Sequence, residues 1–87
     1  MPIQIEQVAN RLIALLENAR QLAVTHQDRT VAVDVLEGCR VYASSIRMPV
    51  DDYLADLAEA VKGKNPFELN QYFDRVSQRI ISLSLIQ

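Results

Sequence analysis

Apolar residues recur in alternating steps of three and four along four successive stretches of this chain, and that spacing limits the folds open to it. A helix repeats every 3.6 residues, so side chains placed this way gather on one face and need a partner surface. Ile5, Val8, Leu12, Leu15, Ala19 and Leu22 make the first stripe, widened by Ala9, Leu16 and Ala23. It predicts a helix over about 3–25. His26-Gln27-Asp28-Arg29 then breaks the pattern as a loop. Ala32, Val35, Leu36, Cys39, Tyr42, Ala43 and Ile46 share one arc of a second helix over about 30–47, with Thr30 as the expected N-cap.

Pro49 is expected to stop that helix and to occupy the first turn of the next, where Asp51 and Asp52 suit the positive end of the helix dipole. Val50, Tyr53, Leu54, Leu57, Ala58 and Val61 form the third stripe, closed by Lys62, Gly63 and Lys64. The fourth helix opens on Asn65-Pro66-Phe67-Glu68: an N-cap, a proline at the first helical position and an acid where a capping box wants one. Its stripe is Leu69, Tyr72, Phe73, Val76, Ile80 and Leu83. Short connections favour antiparallel neighbours, so the expected fold is all-α, a small up-and-down bundle of about four helices in a single domain over 1–87. A second reading makes 30–46 a β-hairpin. Thr30 to Val35 alternates and is rich in β-branched residues, and Gly38 could turn it back.

Composition narrows what holds such a bundle together. A chain of 87 residues buries only roughly 60–65% of its extended surface. Its single cysteine, Cys39, excludes an internal disulfide, and its single histidine, His26, leaves no ligand set for zinc. Efficient packing or oligomerisation remains. No stretch is long and apolar enough for a membrane span, and Met1-Pro2-Ile3-Gln4-Ile5-Glu6 lacks the features of a secretory signal. One unpaired thiol fits a reducing, cytoplasmic setting. Nine basic against eleven acidic residues argue against a generic DNA-coating protein.

The fourth helix outruns the third by roughly 8 residues, about 12 Å at 1.5 Å per residue. That overhang, from Ile80 to Gln87, carries five large aliphatic side chains and no charge. The first helix can cover part of it, and a second copy of the chain is the expected cover for the rest. Tyr72, Phe73, Val76, Ile80, Ile81, Leu83, Leu85 and Ile86 are therefore the expected self-association residues of a homodimer.

Groups suited to chemistry are sparse. His26 stands in a loop, where a solvated role is the expectation. Cys39 falls on the buried arc, where a thiol behaves as a small apolar residue. Asp52, Asp56 and Glu59 share a face, with Asp51 nearby. Such acids can hold Mg²⁺ when a facing helix supplies more, but no other helix offers them, so a solvated face or a dock for a basic partner is expected. Arg75 and Arg79, one turn apart, suit a partner's carboxylate or phosphate, or else form a solvated stripe. Asp51, Asp52, Asp56, Glu59, Arg75 and Arg79 together are the candidate partner surface. No phosphate loop, nucleophile elbow or helix-borne metal motif occurs, so neither enzymatic activity nor a cofactor or catalytic metal is expected.

Leu16-Glu17-Asn18, Ala23-Val24-Thr25, Arg29-Thr30-Val31 and Asp34-Val35 resemble the end of the histone fold, in which a long central helix leads through an Arg-Thr loop into a short helix. The resemblance covers about residues 5–46. It implies a second route to dimerisation and a nucleic-acid association, for which Arg29, Arg40 and Arg47, or Arg75 and Arg79, would supply the charge. The acidic balance and the two further helices depart from that family. The leading expectation is a non-enzymatic protein-interaction module, an adaptor, assembly or neutralising partner, acting as a homo-oligomer. A nucleic-acid-associated helical protein is the alternative.

Overall fold

The computed structural model describes residues 5–86, together with the side chains from Gln7 to Leu85. The expected helix start at position 3 and the expected roles of the Ile5 and Ile86 side chains lie outside that description. Four α-helices follow one another: α1 (Ile5–Arg20), α2 (Arg29–Ser45), α3 (Asp51–Gly63) and α4 (Pro66–Ile86). A π-helical segment, Gln21–Thr25, extends α1. Each helix packs on the next, and α4 closes back on α1, which makes an up-and-down bundle of 40 × 19 × 19 Å. The β-hairpin reading of 30–46 is wrong: α2 runs unbroken through it. The arc from Ala32 to Ala43 gives this segment a face to bury, and helical period outweighs β-branched composition.

The core is where the stripes place it. Leu12, Leu16, Leu36, Leu54, Leu57, Leu69 and Ile80 are the largest side chains without solvent contact. Ala19, Ala23, Ala32 and Ala43 are buried with them.

The helix ends differ from expectation in instructive ways. Instead of running as one α-helix to residue 25, the first helix widens at Gln21, where the His26 N–H donates to the Gln21 carbonyl over 3.0 Å. Gln27 then takes a left-handed backbone, φ 55°, and reverses the chain. Asp28, not Thr30, caps α2: its carboxylate accepts from the Val31 N–H at 3.4 Å. Thr30 already lies inside the helix. At the far end of α2 the chain turns before Pro49 can act. The Met48 N–H donates to the Ala43 carbonyl (2.9 Å) and the Arg47 N–H to Ser44 (3.1 Å), with Arg47 left-handed at φ 59°. This is a Schellman closure with arginine where glycine is usual, locked by burial of Met48. Pro49 therefore stands outside both helices, and Val50 precedes α3 as a fully buried N-cap residue.

The fourth start matches its expectation closely. Asn65 Oδ1 accepts from the Glu68 N–H at 2.8 Å, while the Glu68 carboxylate accepts from the Asn65 side-chain amide at 3.1 Å. Histone resemblance implies a short helix after Arg29-Thr30; α2 has 17 residues.

Candidate interaction surfaces

Long α1, continued by its π segment, lies beside long α4, so α1 reaches the part of α4 that outruns α3. Phe73 and Val76 are buried, and Ile80 is fully buried within its own subunit. These three, expected at a self-association interface, present no surface to a partner. Leu83 and Tyr72 are half-buried against the core. Ile81 keeps 38% and Leu85 79% of its surface in solvent. A groove between the two helices is lined by Ala9, Asn10, Ile13, Ile81, Ser84 and Leu85, none of them charged. The overhang thus divides by helix face. One side is core, and Ile81 and Leu85 stand out beside Ile13.

Phe67, in the first turn of α4, is 74% exposed. Val41, on the outer face of α2, is exposed as well.

The opposite seam, between α2 and α3, is closed by polar contacts. Arg29, at the start of α2, donates through Nη1 to the carbonyls of Val61 (2.6 Å) and Lys64 (2.7 Å). A helix leaves its last carbonyls without partners, and here a side chain from the neighbouring helix satisfies two of them. Arg40 reaches Asp51 at the start of α3 and Glu37 on its own helix, each at 3.1 Å. The carboxylates of Asp51 and then Glu37 raise the Arg40 pKa and hold it charged. Two of the arginines considered for nucleic-acid contact are therefore engaged across the α2/α3 seam. Arg47 is exposed at the α2 closure.

Asp52, Asp56 and Glu59 are exposed on α3, and Glu59 pairs with Lys62 at 3.2 Å. Asp56, Glu59 and Tyr72 line one cleft with Lys64, so α3 acids border α4. Arg75 lies over the Tyr72 ring at 5.4 Å, and Arg79 over the Tyr53 ring at 5.8 Å. The Arg79 Nε is buried with no hydrogen-bond partner among the described residues. The candidate partner surface is thus split: Asp51 is tied to Arg40, and the two arginines rest on aromatic rings. No group of three or more His, Cys, Asp or Glu side chains suited to a metal ion occurs among the described residues.

His26 is exposed beside the π segment. Cys39 is buried, and burial pushes its thiol up to about 11, away from the thiolate that nucleophilic chemistry needs. No helix among the described residues is long and apolar enough to cross a membrane. The chain matches no family model, no curated protein and no solved structure.

Proposed function

We propose that this protein is a non-enzymatic interaction module that self-associates through the α1/α4 edge and, so assembled, engages another protein as an adaptor, assembly or neutralising partner. The observation that carries the reading is the uncharged groove at that edge, with Ile81 and Leu85 in solvent beside Ile13. Water-exposed aliphatic surface of this kind is stabilised by a covering chain at about 25 cal/mol per Å² removed from water. Acids on α3 supply the charge for a basic partner: Asp52 and Asp56 are exposed, while Asp51 and Glu59 already pair with Arg40 and Lys62. A reducing, cytoplasmic setting suits the single buried thiol. The nucleic-acid alternative is less well supported, because Arg29 and Arg40 spend their donors on the α2/α3 seam.

Sedimentation over a wide concentration range tests the association. The intact protein is expected to show a monomer–dimer equilibrium, and Leu85→Asp to stay monomeric with an unchanged helical spectrum. An intact protein that remains monomeric at high concentration would overturn the reading.

A further inference from the structure

On its solvent side α4 carries a regular line: Phe67, Gln71, Asp74, Gln78, Ile81 and Leu85, all exposed. The steps along it are four, three, four, three and four, the spacing of a coiled-coil seam. Phe67 and Leu85, its ends, are 18 residues and hence five full turns apart, about 27 Å along the helix.

We propose that a second copy of this chain docks on that line, with the two α4 helices antiparallel about a two-fold axis passing beside position 76. This rests on the self-association reading and gives it a geometry. The argument is the complementarity of the line with its own reversal. A two-fold axis at that point places Phe67 opposite Leu85 of the other copy, Gln71 opposite Ile81, and Asp74 opposite Gln78. The most exposed apolar side chains of α4 thus cover each other at both ends. The one charged residue of the line, Asp74, meets an amide that can donate to it rather than another carboxylate. A parallel pairing instead stacks Asp74 on Asp74 and leaves Phe67 on Phe67. Register is fixed from both sides: sliding by one heptad lays Asp74 against Leu85 in one direction, and in the other sets Phe67 against Gln78 and leaves Ile81 and Leu85 uncovered.

Disulfide trapping tests the geometry. Phe67→Cys and Leu85→Cys are prepared separately; native Cys39 is buried and stays in place. Under mild oxidation the mixed variants are expected to cross-link at least about ten-fold faster than either alone. As a second measurement, Gln78→Lys is expected to tighten the dimer about three-fold or more, and Gln78→Glu to loosen it. If Leu85→Cys alone cross-links as fast as the mixture, the antiparallel geometry is overturned. If the intact protein sediments as a dimer but neither cross-linking nor the Gln78 variants respond, this proposal fails and self-association through another face survives. A protein that is monomeric throughout overturns both.

Discussion

The two seams that bind the long helices to their neighbours are built on different principles. Between α2 and α3, polar contacts work at both ends. Arg29 caps the last turn of α3 from one side, and Arg40 reaches the first turn from the other. Between α1 and α4 no hydrogen bond or ion pair crosses among the described residues, and the contact is apolar from Val8 and Ala9 to Ile80. Polar contacts saturate: Arg29 and Arg40 are used within the seam, and what that side still offers a partner is the outward charge of Asp52 and Asp56. An apolar seam does not saturate, because its exposed margin at Ile81 and Leu85 gains further from any surface that excludes water. The α2/α3 seam is thus closed by its own charges, and the α1/α4 seam is open along its apolar margin.

The largest expected effect falls on the apolar seam. Ile80 and Leu85 lie near the same end of α4, yet one is fully buried and the other mostly in water. Ile80→Ala is expected to lower the stability of the subunit by about 2–5 kcal/mol, and Leu85→Ala to change it by less than about 0.5 kcal/mol. Chemical denaturation at a concentration where the protein is monomeric measures both. Equal losses would mean that the end of α4 is all core or all surface, and the contrast between the seams would vanish.

The polar seam gives a smaller effect with a different chemical form. Arg29→Ala takes the donor from the part-buried Val61 carbonyl, while water can replace it at the exposed Lys64 carbonyl, and is expected to cost about 1–2 kcal/mol. Arg29→Lys should recover only part of this, because an ammonium cannot reproduce the planar guanidinium fork. Hydrogen exchange of the amides from Ala60 to Lys64 should rise in the alanine variant before exchange elsewhere does. Uniform acceleration across the bundle would show that Arg29 acts on global stability and not as a cap.

These two seams also explain what could be read from sequence. Apolar period survives every detail of packing, so four helices, their order and most of the core follow from stripes such as Leu54, Leu57 and Val61. The Asn65-Pro66-Phe67-Glu68 start was legible because its partners are three residues apart. The Arg29 cap was not, since its carbonyls are 32 and 35 residues away and nothing local announces them. Nor was the closure at Arg47, where burial of Met48 makes a left-handed arginine tolerable. For the candidate surface, the charge-free overhang groups Ile80 with Leu85, whereas the apolar stripe contains Ile80 and omits Leu85, and the buried and exposed residues divide as the stripe does. Phe67 was available to inspection through its five-turn spacing from Leu85. It lies off the apolar stripe of α4, so the period that marks the buried face does not single it out.

The smallest expected effect belongs to Arg40 and Asp51, and its value lies in its dependence on salt. Both side chains are substantially exposed, at 33% and 56%, so water and ions compete with the pair. Arg40 also keeps Glu37 on its own helix as a second partner. Asp51→Asn should therefore leave Arg40 paired and shift the melting temperature only slightly in low salt, with the difference shrinking as salt is raised. Asp51 also sits in the first turn of α3, where negative charge is favoured, so Asn is the milder test and Ala the harsher one. Melting curves of the intact protein, Asp51→Asn and Arg40→Gln across a salt series separate the contributions. A loss in Arg40→Gln that persists at high salt would show that Arg40 holds the seam by packing its aliphatic stem against α3. The polar side of the bundle would then resemble the apolar one more than its contacts suggest.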